Sequence, residues 1–474
     1  VARFLFLQNY LTEYLGTLGV CSYLQSRGHE AEAAVTGTAK EVRREIEGKR
    51  PDVVGLYTSI GNLTWVSDTL KLISETGTDG RPVTMVGGPH PTFFPELIGD
   101  WPVDVLCRGE GEEATAEIGD RLDAGAGYDD VANLWVRQGD GTVSGNDVRP
   151  LVEDLDALPA PDRSFYRRYP FLGKASTKKF ITGRGCPYRC TYCMNQRFNE
   201  IYRGKGRIVR KRSPEHVVDE ILRVKTEYGL EFARFVDDTL VMSKKWLFEF
   251  LALYREKVGL PFSCTMRADT ADREMVRELG ASGADTCFFG LETGVEGLRN
   301  AVLKKSIRNE DIERTAGWLR EEGIRILTFN MLGLPGERLE DAFETVAINR
   351  RIGTDYPWCS ILQPYPGTEL EEICKERGCL PPGVEQEGAF DHSWFRRSVI
   401  DSGEKRRIEN LHKFFYLAVR APWLEPLIRQ LIKLPPNPLY HLVFKVSYGW
   451  LFTRVRRMSL FRLVGMALRL GRHY

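Results

Sequence analysis

Three cysteines, Cys186, Cys190 and Cys193, stand in a C-x3-C-x2-C spacing within TGRGCPYRCTYCMNQ, residues 182–196. Thiolates gathered on one short loop select soft metal centres. A structural zinc site takes four protein ligands and a catalytic one takes three with an open position. An iron–sulfur cluster is ordinarily held by four thiolates. Three cysteines therefore suit a zinc knuckle, a buried cysteine cluster, or a cubane with one iron left open, able to chelate a small molecule through an amine and a carboxylate. Further along stand Asp237 and Asp238 in FVDDT, Arg267 in TMRAD, Glu292 in GLETG, Gly333, Gly336 and Glu337 in NMLGLPGE, and Pro364 in QPYPGT. Upstream, Ser59 in YTSIG and Gly87, Gly88 and His90 in GGPHPT sit in small-residue segments that admit a close ligand.

These groups need a scaffold that brings strand ends together. Residues 1–150 alternate β-rich runs (RFLFLQN, AEAAV, PDVVGLYTS, PVTMVGG, VDVLCRGEG) with helical patterns such as LGTLGVCSYLQSRG and LTWVSDTLKLISETG. This alternation predicts a doubly wound parallel α/β sheet, which binds ligands at the carboxyl ends of its strands. Residues 151–172 follow the proline at 150, are rich in further prolines and show no period, and read as a linker. From 173 to 372 a second series begins, with candidate strands KKFITG, FARFVDDT, FSCTMRA, TCFFGLE, RILTFNMLG and WCSILQPY. Between them lie helical patterns such as SPEHVVDEILRVKTEYG, with Ser213 as N-cap and Pro214 in the first turn. Six β/α units predict a partial (β/α)6 barrel with its chemistry at the strand ends. The chemically unusual clusters of this region fall there.

Composition sets the outer bounds. A chain of 474 residues, 42% hydrophobic and 28% charged, holds two or three globular domains. Its net charge of +1 gives no overall drive toward nucleic acid or membrane. Ten cysteines lack the dense spacing of a secreted disulfide scaffold. VARFLFLQNY lacks the features of a signal peptide, and no uncharged apolar run reaches the ~18–20 residues of a spanning helix. A reducing, cytoplasmic location is the expectation. Residues 373–474 form a basic, aromatic, helix-like region. Within it, residues 401–474 hold fourteen Lys/Arg against four Asp/Glu, a balance of +10 that leaves the rest of the chain net acidic by nine.

The cysteine loop resembles the radical S-adenosylmethionine (SAM) superfamily, whose pattern C-x3-C-x-aromatic-C is completed here by Tyr192. The resemblance implies a [4Fe-4S] cluster on Cys186, Cys190 and Cys193. It also implies SAM contacts from Tyr192, Asp237, Asp238, Arg267, Glu292, Gly333, Gly336, Glu337 and Pro364. Read without it, the two aspartates cap a helix and Glu292 is a turn residue. The family's chemistry would follow: one electron to the sulfonium of SAM, a 5′-deoxyadenosyl radical, and hydrogen removal from an unactivated carbon. A reducing partner such as flavodoxin or ferredoxin is implied as well. Cys264 and Cys287 read as core residues, and Cys374 and Cys379 as candidate extra ligands.

A Rossmann-like domain before such a barrel is similar to the cobalamin-dependent branch, in which GGPHPT is typical. That likeness places cobalamin against Ser59, Gly87, Gly88 and His90; the plainer reading of His90 is a loop histidine bonding backbone. The D-x-H-x-x-G motif is absent, so cobalt without a protein histidine ligand is expected. Two rivals fail. The tRNA methylthiotransferases carry three cluster cysteines in their first domain, where this chain has Cys21 and Cys107 alone, and a G-x-G-x-x-G dinucleotide motif is missing after RFLFLQN. The resemblance implies a C-methyltransferase using methylcobalamin, or a non-methylating enzyme of the same branch, similar in domain order to the anaerobic Mg-protoporphyrin ester cyclase. A non-catalytic cobalamin or metal-binding sensor is the reading from another class. The expected substrate is a small apolar or acidic molecule. The basic tail either caps the barrel mouth or lies on an anionic membrane surface; its aromatics, set among leucines, do not suit nucleic acid.

Overall fold

The computed structural model describes residues 1–75, 80–381, 395 and 397–458. The chain divides into two compact units. One is Val1–Lys179 with Arg197–His216 and Thr226–Gly229; the other is Phe180–Gln196, Val217–Lys225 and the chain from Leu230 onwards.

The first unit is built on strands β1 (Arg3–Gln8), β2 (Glu30–Val35), β3 (Val53–Tyr57), β4 (Val83–Gly87), β5 (Val105–Cys107), β6 (Leu134–Arg137) and β7 (Val143–Gly145), in the order 2-1-3-4-5-6-7. The first five run parallel and the last two antiparallel. Parallel strands covered on both faces must be apolar on both faces, and alternate residues divide accordingly. Phe4, Phe6, Met85 and Val105 pack with Cys21, Leu24, Ala114 and Ile118 of helices Leu15–Ser26 and Glu112–Asp123. Leu5, Leu7, Val54 and Leu56 pack with Val42 of helix Ala39–Lys49 and with Val66 and Leu70 of helix Leu63–Ser74. The last residues of the helix expected over LTWVSDTLKLISETG, 76 and 77, lie outside the described residues. The order 2-1-3 reverses direction between β1 and β3, and a crevice opens at such a switch point. The β6–β7 hairpin was not among the expected strands; it is short, and its signal was the Asp-Gly turn ending at Gly141, φ 86°. Residues 151–172 form short helical turns and bury Leu151, Leu155, Tyr166 and Leu172. The Tyr166 hydroxyl donates to Gln8 Oε1 at 2.7 Å.

The second unit is a partial barrel. Strands β8 (Thr177–Phe180, ending where the unit begins), β9 (Phe232–Phe235), β10 (Phe262–Thr265), β11 (Ala284–Glu292), β12 (Arg325–Leu332) and β13 (Tyr356–Ile361) are neighbours in chain order. From β9 to β13 they pair in parallel. Ser213 caps helix Pro214–Tyr228 by accepting from the His216 N–H at 3.2 Å, as its sequence announces. An open barrel leaves β13 as an edge with unpaired backbone groups, and the C-terminal helices cover it. Helix Lys405–Arg420 packs Ile408, Leu411 and Phe415 on Leu332, Val346, Cys359 and Ile361. Tyr448, on helix Pro438–Arg456, accepts from the Cys359 N–H at 2.8 Å and donates to the Cys359 carbonyl, which also bonds His412 Nε2 at 3.1 Å. The C-terminal helices, expected either to cap the barrel mouth or to lie on a membrane, are thus seated on the edge strand and on helix Leu339–Arg351. The rest of the expected tail, SLFRLVGMALRLGRHY, lies outside the described residues.

Candidate active site

The cysteine loop follows β8. Cys190 is buried, and Cys186 and Cys193 are half-buried. The residue that fastens the loop is Thr191, fully buried between Cys190 and Tyr192. Its N–H donates to the Leu303 carbonyl at 3.1 Å, its hydroxyl to the Val302 carbonyl at 2.7 Å, and its carbonyl accepts from the Leu370 N–H at 3.0 Å. The cluster-side loop is thereby tied to the segment after β11 and to the turn after Pro364, a tie with no motif to announce it. Pro364 itself is half-buried, ahead of the helix Glu369–Glu376 that Thr368 caps.

Burial raises the Cys186 thiol, and raises Cys193 to about 12, with charge on the neighbouring thiols adding to the effect. Backbone N–H groups of Tyr188 and Asn195 point at these two sulfurs and pull the other way. Three soft donors within electrostatic reach of one another are a donor set that a bound cation converts to thiolates. Among the described residues no three His, Cys, Asp or Glu side chains converge as a single ion would require. A cubane asks for something different, since each thiolate takes its own iron, and the donor set fits it.

Around this loop the strand ends contribute unequal partners. Asp237 is buried and accepts from the Thr182 N–H at 3.1 Å and the Thr182 hydroxyl at 2.7 Å. It braces the approach to the cysteines, while Asp238 beside it is exposed, and its charge reaches Cys186 and Cys193. Arg267 lies flat over the Tyr188 ring, 3.6 Å from its centroid. Its fork is engaged by Asp269 at 3.0 and 2.9 Å and by the Lys305 carbonyl at 2.8 Å. The resemblance gives Arg267 a SAM contact; in the structure its guanidinium is held by Asp269, two residues on.

Glu292 ends β11 at a shift of register after Gly290, with φ 66°. Its carboxylate accepts from the Tyr192 hydroxyl at 2.9 Å and pairs with the buried ammonium of Lys305, which lies 3.2 Å from the same hydroxyl. Burial, then the Glu292 charge, raises the Tyr192 hydroxyl well above its ordinary value. Lys304 and Ser306, on either side of Lys305, have φ 47° and 54°. Three non-glycine residues in left-handed conformation thus converge on one buried ion pair, the kind of local strain that clusters at functional sites. Lys305 was missed by sequence reasoning, and nothing in VLKKS marks it.

After β12, Gly333 and Gly336 take φ 86° and 84°. Glu337 folds back over this turn and accepts from the N–H groups of Gly333 at 2.5 Å and Leu334 at 3.2 Å. Burial outweighs those donors and pushes its carboxyl up to about 8. Cys264 and Cys287 are core residues on adjacent strands, sulfurs 3.7 Å apart. Cys374 packs in an apolar cluster with Val302, Leu303 and Leu370, and Cys379 donates to its carbonyl at 3.3 Å.

In the first unit, the strand ends at the switch point form a small polar scaffold. Ser59 donates through its N–H to Asn62 Oδ1 at 2.9 Å, and Asn62 returns a bond to the Tyr57 carbonyl at 2.9 Å. Thr58, fully buried, donates its N–H to the Gly87 carbonyl at 2.8 Å. Gly88 has φ 108°, and a Cβ there would stand 2.6 Å from the Thr58 carbonyl and 3.0 Å from the Tyr57 ring. A Cβ on Gly87 would meet nothing closer than 3.8 Å, ordinary van der Waals contact with Cys107, so the close approach is confined to Gly88. His90 is buried beside Phe94, ring centroids 5.0 Å apart, and burial lowers it to about 4, so it is neutral at physiological pH.

Residues 9–119 match the B12 binding domain, and residues 180–347 match the Radical SAM superfamily. The chain is a radical SAM enzyme with a cobalamin-binding domain. Its sequence is 28% identical over 401 residues to an uncharacterized methyltransferase of Pyrococcus horikoshii, covering 82% of each chain. It is 26% identical over 372 residues to the cytidylyl-2-hydroxyethylphosphonate methyltransferase of Streptomyces wedmorensis, covering 70% of this chain and 68% of that one. It is equally, 26%, identical over 343 residues to the anaerobic magnesium-protoporphyrin IX monomethyl ester cyclase of Rubrivivax gelatinosus, covering 70% of this chain and 60% of the cyclase. The radical enzyme OxsB, solved with aqua-cobalamin and SAM bound, shares the fold with a TM-score of 0.73 at 17% identity, covering all of this chain and 75% of OxsB.

Proposed function

We propose that this cobalamin-dependent radical SAM enzyme is a C-methyltransferase acting on an unactivated carbon. The observation that carries the reading is the presence of two separate ligand scaffolds on one chain: the three-thiol loop after β8, and the Gly88 turn at the β1/β3 switch point. Together with bound SAM, a cluster and a corrin supply one-electron cleavage chemistry and a methyl carrier. The chain's own residues hold and orient. Cys186, Cys190 and Cys193 would ligate the cluster, and Thr191 fixes their loop. Glu292 and Lys305 fix the Tyr192 hydroxyl, and Gly333 and Gly336 allow backbone to approach a flat base. Gly88 and Ser59 would line the corrin side, with no histidine on cobalt. Asp237, Asp238, Arg267, Glu337 and Pro364 complete the proposed SAM side, Arg267 and Glu337 acting through the loops they brace. A flavodoxin or ferredoxin supplies the electron, the substrate is a small apolar or acidic molecule, and nucleic acid takes no part. The place of action is the cytoplasm.

Two relatives named as methyltransferases favour this reading, and the cyclase relative favours a non-methylating outcome. The test needs no substrate. Anaerobically reconstituted protein, reduced in the presence of cobalamin and methyl-labelled SAM, is expected to move label onto the corrin and to release 5′-deoxyadenosine. Release of 5′-deoxyadenosine with no label on the corrin would replace methyl transfer by the cyclase-like reading. Neither product would overturn both.

A further inference from the structure

We infer that the outer face of the C-terminal helices is a docking surface for an anionic lipid bilayer, an inference that stands apart from the chemistry proposed above. Among the described residues, ten large hydrophobic side chains are exposed, and seven of them lie between 423 and 450. That concentration is far from the scattered single residues of an ordinary soluble surface. Helix Pro438–Arg456 shows how it arises. One side of the helix buries Tyr440, Tyr448 and Leu451, with Tyr448 bonded to the edge strand at Cys359 and Tyr440 edge-on to Phe414. The other presents Leu439, Leu442, Val446 and Trp450, at intervals of three, four and four residues, as one stripe that is more than half exposed at each position. Trp423, at 78% exposure, and Leu427 and Leu434 are likewise bare on the turns that precede it in the chain.

Charge selects the occupant. Residues 420–457 carry seven Lys/Arg and a single acidic residue, Glu425, although the chain as a whole is nearly neutral. Arg429 and Arg457 are engaged by Glu340 and Asp285. Lys433, Lys445 and Arg454 are exposed, and the Arg454 guanidinium sits 4.2 Å over the Trp450 ring. An apolar stripe with tryptophan and flanking cations is the pattern of a helix lying in the headgroup layer. No helix among the described residues is long and apolar enough to cross a membrane, so the surface lies on the bilayer. A second copy of the chain, docked stripe to stripe about a two-fold axis, would bring the two basic sets together and is disfavoured by their repulsion.

The experiment uses the full chain and sedimentation with vesicles of phosphatidylcholine alone or with about one third phosphatidylglycerol. Partitioning is expected on the anionic vesicles, at least about tenfold above the neutral ones and weakened by salt. Leu442→Gln with Val446→Gln, and separately Lys433→Gln with Lys445→Gln and Arg454→Gln, should each lower it at least about tenfold with an unchanged melting temperature. Equal binding by wild type and both variants would overturn the inference. So would a solution dimer, seen by light scattering, that the apolar variant dissociates while vesicles leave it intact. Should the variants unfold, quenching of wild-type tryptophan fluorescence by brominated acyl chains in the anionic vesicles decides the matter, and its absence counts against the bilayer.

Discussion

Lys305→Met is the most informative single change in the barrel. The Lys305 ammonium and the Glu292 carboxylate are each 7% exposed and face one another across a loop with left-handed residues at 292, 304 and 306. Methionine fills nearly the same volume but leaves the carboxylate buried with the Tyr192 hydroxyl as its remaining bond from this trio. Breaking one side of a buried pair costs about 3–5 kcal/mol. For a domain of 150–250 residues, each kcal/mol lowers the melting temperature by about 2–4 °C, so a fall of about 6–20 °C is expected. The double variant Lys305→Met with Glu292→Gln removes both charges and should recover most of that loss, because an uncharged pair carries no such desolvation penalty. Differential scanning calorimetry on the four proteins of the cycle gives the coupling directly. The same variants, reconstituted anaerobically, are read by electron paramagnetic resonance of the reduced cluster with and without SAM. Lys305→Met should blunt the spectral change that SAM induces, since the Tyr192 hydroxyl and Glu292 lose a shared partner. A melting temperature within about 2 °C of wild type for Lys305→Met, or a double variant no better than the single, would refute the reasoning.

Cys190→Ala should lose cluster iron and SAM cleavage while cobalamin binding persists; retained cleavage would contradict the ligand assignment. Gly88→Ala should lower retained corrin, measured by absorbance after gel filtration, at least about tenfold, because strain of about 1–3 kcal/mol joins a 2.6 Å clash with the Thr58 carbonyl. Gly87→Ala, whose Cβ would make only ordinary contact with Cys107, should fold normally and serves as the control for strain. Glu337 gives a pH signature. Its folded value, about 8, lies above an unfolded value of 4.5, so the folded state holds the extra proton between them. The stability associated with that proton is fully present below about 4.5 and is lost as pH rises toward 8, with a slope of at most about 1.4 kcal/mol per unit. Glu337→Gln should flatten that slope in urea titrations across the window, and an unchanged slope would assign the proton elsewhere.

Local pattern carried much of the architecture. Runs such as RFLFLQ and PDVVGLY are apolar on both faces, as strands covered on both faces must be. Ser213 and Pro214 mark a helix start because the cap and the missing N–H act within one turn. The β6–β7 hairpin escaped notice because four- and three-residue strands are too short to show a period. The roles of Asp237 and Arg267 were legible only in part. FVDDT and TMRAD place the charges at strand ends, yet which partner each charge takes, Thr182 or Asp269, depends on where the loops lie.

The sequence by itself determined the donor set, because three cysteines within eight residues are confined to one loop in any fold, and it determined the alternation of strand and helix that builds both units. Tertiary structure alone decided what holds that loop still. Thr191 meets carbonyls more than a hundred residues away, Lys305 finds Glu292 through a strained turn, and Tyr448 closes an edge strand 89 residues before it. Such contacts are set by chain crossing rather than by local spacing. The exposed stripe on the last described helix follows the same logic: its heptad-like spacing is written in the chain, but which side faces the barrel and which is left bare was decided when Tyr448 docked on Cys359.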